Sequence, residues 1–171
     1  MNKTTTISKL FGVIPLISIC LILWEISIYR LTFIPWGIPA CIGIITGVIM
    51  TPLLRKLIDG IFPGHGLAVQ LLYNIVTWGG IVMFLFMWSN YQFAGSQQRK
   101  INAPFVKVDR LTRRGGVGEG RPYITILYKG QEQHLLFDKG TNMDSCSSVD
   151  LTLADGLFGY VVVVDKTLRN R

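Results

Sequence analysis

The stretch Leu67 to Trp88 reads LAVQLLYNIVTWGGIVMFLFMW and carries no formal charge. As a helix rising about 1.5 Å per residue, it is long enough to cross a hydrocarbon layer about 30 Å thick. It reads as a membrane span, and the rest of the chain divides around it. Two more apolar runs precede it; a polar, basic tail with a strand-like pattern follows. Within the span, Gln70, Asn74 and Thr77 stand at i, i+4 and i+7 and so share one face. Amides buried in a membrane find partners on neighbouring helices, so this face is expected to look toward the other two spans and away from lipid. The pair Gly79-Gly80 permits close helix contact or a bend.

Toward the N-terminus, Ile34 to Leu54 is the second span, with Pro35 and Pro39 near its start, where a missing N–H is tolerated. Pro39, Gly43, Gly47 and Thr51 recur every four residues along one face. The Gly43 to Gly47 spacing lets two helix backbones approach closely in lipid, against another span of this chain or a second copy of it. The first span, Leu10 to Tyr29, follows a polar leader, residues 1–9, that contains Lys3 and Lys9. Its length exceeds that of a signal-peptide core and no small-x-small cleavage pattern follows, so it reads as an uncleaved span. Glu25 is the one acid inside a span. Placed within about a turn of the boundary, it is expected to reach water or to pair with Arg30. The turn from Arg30 to Phe33 is short enough to make spans one and two an antiparallel hairpin. The second connection, Arg55 to Gly66, holds His65 between two glycines, with no second His or Cys at ligand spacing, so His65 reads as a loop residue.

The charges follow the same division. Of 17 Lys and Arg, only Lys3, Lys9, Arg30, Arg55 and Lys56 precede residue 94; of 10 acids, only Glu25 and Asp59 do. Most of the remaining excess lies between Ala94 and Arg121, so the overall +7 describes a segment next to the last span and not a nucleic-acid-binding face. Three spans put the N-terminus and the second connection on one side. Short segments weigh most in setting direction, and there Lys3, Lys9, Arg55 and Lys56 oppose Arg30 alone. The expectation is a cytoplasmic N-terminus and a C-terminal domain outside the cytoplasm. Cys20, Cys41 and Cys146 form no spaced pair, so neither a disulfide framework nor a zinc site is indicated.

After a polar linker, residues 94–103, the pattern changes to alternation. Strands are expected at Phe105 to Leu111, Tyr123 to Tyr128, Gln133 to Phe137, Val149 to Ala154 and Leu157 to Val164, with turns at Lys129-Gly130 and Asp155-Gly156. The expected fold is an α-helical integral membrane protein with three transmembrane helices, spanning about 10–29, 34–54 and 67–88. A small antiparallel all-β domain of about five strands follows at 104–171, with a core thin enough to lean on the membrane, a partner or a copy of itself.

Three features of the tail resemble catalytic or ligand sites. Gly115 to Gly120, flanked by Arg113, Arg114 and Arg121, looks like a phosphate loop, but Pro122 and a strand follow it where a helix N-terminus is needed. It reads as a hairpin loop whose three arginines are candidate contacts for an anion or a lipid headgroup. Asp138, Asn142, Asp144 and Asp150 lack the alternating ligand spacing of a calcium loop. Cys146 and His134 lack a base-orienting partner and a nucleophile elbow. The chain therefore reads as non-enzymatic, without catalytic residues, cofactor or metal. It is a membrane-anchored interaction or assembly module whose partners are the bilayer and a protein or a second copy, with no nucleic acid. The alternative is an accessory subunit of a transporter or channel, using the polar face of the third span.

Overall fold

The computed structural model of the chain describes residues 3–61, 63–111, 121–138, 141, 143 and 146–170. In order, its elements are α1 (Lys3–Tyr29), β1 (Thr32–Phe33), α2 (Gly37–Ile61), α3 (Leu67–Asn74), a π-helical segment (Ile75–Gly79), α4 (Gly80–Gln92), β2 (Gln98–Pro104), β3 (Lys107–Leu111), β4 (Arg121–Tyr128), β5 (Gln131–Leu136), β6 (Cys146–Asp155) and β7 (Val161–Asn170). These fold into two compact units, one of Met1–Ile28 with Pro35–Ser89 and one of Tyr29–Ile34 with Asn90–Arg171.

The first unit is helical. Phe11–Tyr29, Gly37–Ile61 and Leu67–Gln92, with mean hydropathies of 2.2, 1.9 and 1.7, are each long and apolar enough to cross a membrane. The third helix touches both others. On its α1 side, the Tyr73 hydroxyl donates to Phe11 O (2.6 Å), the Ser18 hydroxyl donates to Val76 O (2.5 Å), and the Trp24 and Phe84 rings lie 5.6 Å apart. On its α2 side the packing is backbone against backbone. A Cβ at Gly47 would stand 2.6 Å from Ile75 Cα, and one at Gly79 would stand 3.2 Å from Gly43 Cα. Only glycines allow this approach. The π turn falls at this crossing, where Thr77 also turns its hydroxyl back onto Tyr73 O.

Helix α2 runs on to Ile61, past the expected end at Leu54. Arg55 and Asp59 pair one turn apart (3.8 Å), and Asp59 accepts from Gln70 Nε2, so both residues have partners within the helical unit where a loop was expected.

The second unit has seven strands among its described residues, two more than expected. They form a four-stranded sheet, β1-β7-β6-β2, and a three-stranded sheet, β3-β4-β5, with every pairing antiparallel. Leu151, Leu153, Val149 and Val163 from the first sheet meet Ile124, Ile126 and Leu135 from the second, with Phe33 and Met143 completing the core. Strands β2 and β3 are two halves of a bent path between the sheets. Phe105 N–H donates to Ser147 O and the next residue, Val106, donates to Thr125 O (2.9 Å).

The added strands are β1 and β2. In β1, Thr32 lies opposite Val162 and Phe33 opposite Val161, and Val163 N–H donates to Leu31 O (2.7 Å), so the connection between α1 and α2 forms an edge of the first sheet. β2 occupies most of the stretch expected to be a linker, paired residue for residue with β6 from Gln98–Ala154 to Pro104–Ser148. β7 begins at Val161 and not at Leu157, because residues 156–160 form the turn. Gly156 N–H donates to Tyr160 O (3.0 Å), and Gly159, at φ 80°, adopts the left-handed conformation that glycine takes without strain. The β4–β5 hairpin turns on Lys129 and Gly130, both at positive φ, as a two-residue loop of right-handed twist requires.

Because the Gly47 site has no room for a side chain, Gly47→Leu is expected to cost the helical unit about 2–4 kcal/mol. Gly60→Ala, in an open helical position, is expected to raise stability by about 0.5–1 kcal/mol. Unfolding of both variants in detergent micelles checks the contrast.

Candidate functional site

Two arrangements carry polar chemistry, one in each unit. In the helical unit, polar residues share the interior with Phe11, Ile28, Ile58, Phe84 and Met87, and many large apolar residues lie outside. Ser18, Glu25, Thr51, Gln70, Asn74 and Thr77 are buried, while Leu16, Leu23, Ile45, Ile49, Leu53 and Leu72 are among the exposed large apolar residues. Asn74, fully buried, donates from Nδ2 to the Thr51 hydroxyl (3.2 Å), which itself donates to Gly47 O (2.8 Å). Gln70 donates to Asp59 and, at 3.3 Å, to His65 O, so the loop at His65 is tied to the start of α3. Gly43 and Gly47 thus bring α2 close enough for Thr51 and Asn74 to meet, and Thr77 bonds within its own helix.

Glu25 departs from its expected setting. It is 5% exposed, and its Oε2 has no hydrogen-bond partner among the described residues. Phe11, Ser18 and Glu25, each seven residues apart, are all buried, so the glutamate belongs to the inward stripe of α1. Gln70 Oε1, Asn74 Oδ1 and Trp78 Nε1 are likewise buried without partners among the described residues.

In the β unit, a groove of about 380 Å³ is lined by Tyr29, Arg30, Tyr123, Glu132, Gln133, His134 and Leu136. It follows the edge of β5 that no described strand pairs. The tight β4–β5 turn makes Tyr128 and Gln131 a hydrogen-bonded pair. The alternation along the ladder then turns Gln133 and Leu135 toward β4. Phe137 N–H donating to Pro122 O (2.9 Å) keeps that alternation. The backbone groups of Glu132 and His134 therefore point outward into the groove, as do those of Leu136, whose carbonyl is taken by Lys166 Nζ. Burial pushes the Lys166 ammonium below its ordinary range, and Asp138 partly offsets this. Gln133 reaches across to donate to Tyr29 O (3.0 Å), and His134 shares Nδ1 with the Thr125 hydroxyl (2.9 Å) while standing edge-on to Tyr123. Arg30 and Glu132 are exposed at the groove, with no ion pair between them or to other described residues.

Of the candidate anion contacts, Arg121 is exposed at the start of β4; Arg113, Arg114 and the glycine run 115–120 lie outside the described residues. Asn142 and Asp144 lie outside them as well, while Asp150 is held by Asn102 (2.6 Å) and faces Arg169 (3.9 Å). Cys146 and His134 belong to different sheets. Sequence reasoning missed the β5 groove because one wall, Tyr29 and Arg30, comes from the turn between the first two helices. Only the pairing of β1 with β7 could have announced it. Comparison with family models, with curated proteins and with solved structures found no match to this chain.

The Thr51–Asn74 contact is expected to act as a coupled pair. Thr51→Val and Asn74→Leu should each destabilise the helical unit, and the double variant by about 0.6–1.5 kcal/mol less than their sum, measured by a double-mutant cycle in micelles.

Proposed function

We propose that this chain is an integral membrane protein whose three long helices cross the bilayer and hold the β unit at its surface as a non-enzymatic interaction module. The observation that carries the membrane part is the inverted helical unit. Within the long helices Leu16, Leu23, Ile45, Ile49, Leu53 and Leu72 are exposed while Ser18, Glu25, Thr51, Gln70, Asn74 and Thr77 are buried, an arrangement that is costly in water and favourable in hydrocarbon. Three crossings put the α1–α2 connection and the tail on the same side, which is what the pairing of β1 with β7 requires. The bases of the short segments favour a cytoplasmic N-terminus and an extracytoplasmic β unit.

The partner surface is the edge of β5 left unpaired among the described residues. Unpaired N–H and C=O groups at a sheet edge accept an added strand, with neighbouring side chains supplying selectivity. The occupant is an extended segment of another protein carrying one acidic and one basic residue, to meet Arg30 and Glu132. A second copy fits less well, because a concave groove is not complementary to itself. The accessory-subunit reading draws on a different observation, the buried Glu25 carboxyl, whose Oε2 has no partner among the described residues, an ionisable group of the kind that marks ion pathways in membranes.

The edge is tested with Glu132→Pro, which removes an outward N–H and leaves the β4 ladder intact. The probe peptide Thr-Val-Glu-Val-Lys-Val should bind the wild-type protein and slow amide exchange at Glu132 and His134. The variant should fold normally and bind it at least about tenfold more weakly. Equal binding by both proteins, or none by the wild type, would remove the β5 edge as the partner surface.

A further inference from the structure

The turn between β6 and β7 exposes two large apolar residues, Leu157 (54%) and Phe158 (48%). Its backbone is held by one side chain. Asn90, fully buried in the last turn of α4, accepts from Phe158 N–H (3.0 Å) and donates to Tyr160 O (3.1 Å). The fit is close, since a Cβ at Gly156 would stand 2.5 Å from Asn90 Cγ. Two further ties fix the base of the turn, Gly95 N–H to Asp155 O (2.8 Å) and Arg99 to Asp155 (3.1 Å). This turn is thus fastened to the residue that stands two positions beyond Trp88.

Accepting the membrane reading proposed above, on which this inference rests, Trp88 and Tyr91 lie at the headgroup level, where aromatic side chains collect. At about 1.5 Å per residue, Asn90 sits within about 3 Å of Trp88 along the helix axis. The turn that it grips is therefore at the same depth. Apolar side chains presented at that depth enter the boundary between headgroups and acyl chains.

We infer that the β6–β7 turn is a lipid-binding loop, with Leu157 and Phe158 inserted into the outer boundary of the same bilayer that the helices cross. Its ligand is the interfacial layer of the membrane itself, taken up through apolar contact. The loop gives the β unit a second hold on the membrane besides its chain connections.

The test uses single-cysteine forms of the full chain in lipid nanodiscs, made by replacing the native cysteines with serine. One form carries Leu157→Cys; the other keeps Cys20, which is exposed at the middle of the apolar stretch Phe11–Tyr29. Each is labelled with bimane and challenged with lipids spin-labelled near the top or near the end of the acyl chain, and with aqueous iodide. The label at 157 should lose intensity with the shallow spin label and be shielded from iodide, and the label at Cys20 should respond most to the deep one. If iodide quenches the label at 157 and neither lipid does, while Cys20 still responds to the deep spin label, the loop inference is overturned and the membrane reading stands. If Cys20 responds to neither lipid, the membrane reading itself fails and takes the loop with it.

Discussion

Between the end of α1 at Tyr29 and the start of α2 at Gly37 the chain must reverse direction, and it does so while contributing a strand to a sheet made from the far end of the sequence. Leu31 O accepts from Val163 N–H, Phe33 faces Val161, and the Phe33 side chain enters the core beside Leu151 and Ile126. This pairing closes the β unit on a segment that local sequence would leave as a bare turn. It also creates the groove, since Tyr29 and Arg30 reach the groove edge of β5 only because Thr32 and Phe33 are fixed in the sheet. A small sheet with a thin core gains from this, because a docked strand removes exposed edge and adds a buried phenylalanine at once.

The helical unit solves a different problem. In the bilayer proposed for these helices, apolar surface would gain little by being buried, so association would come from close backbone approach and from polar groups that have no better partner. Gly43 and Gly79 supply the approach, and Thr51, Asn74, Gln70 and Asp59 supply the hydrogen bonds. The π turn between Asn74 and Gly80 belongs to the same solution. It lies where the glycine contact and the amide contact are adjacent along one helix. Glu25 is the cost of that interior, a carboxyl whose Oε2 has no partner among the described residues, in a stripe that otherwise holds Phe11, Ser18 and Ile28.

Much of this architecture is legible in the chain, and the places where it is not share a cause. Apolar length and the absence of charge mark the three long helices, and four-residue spacing marks the faces bearing Gly43, Gly47 and Thr51 and bearing Gln70 and Asn74. These are local signals. Strand β1 is two residues, Thr32 and Phe33, with no alternation to detect, and its partner lies at the other end of the chain. Strand β2 reads QRKINAP, polar enough to pass for a linker; it is ordered by β6, whose Val149, Leu151 and Leu153 carry the apolar side of the pair. The run LFGYVVVV looks like one strand, yet Gly156 and Gly159 close a turn through its first half and β7 continues into the polar DKTLRN. The nearness of Glu25 to Arg30 in sequence suggests a peripheral residue, whereas its seven-residue spacing from Ser18 turns it inward.

The connection between the first two helices and the C-terminal tail form one sheet, which the proposed reading puts on the extracytoplasmic side of a membrane. Thr32 and Val162 are the pair to probe. The neighbouring bond from Val163 N–H to Leu31 O makes theirs a non-hydrogen-bonded antiparallel pair, with Cα atoms about 4.5 Å apart and within reach of a disulfide. With the native cysteines replaced by serine, a Thr32→Cys, Val162→Cys chain expressed in cells and trapped with a thiol-blocking reagent should already carry that disulfide, because oxidation occurs outside the cytoplasm. A bond that forms only after oxidant is added to isolated membranes would contradict the orientation, and no bond under either condition would contradict the sheet.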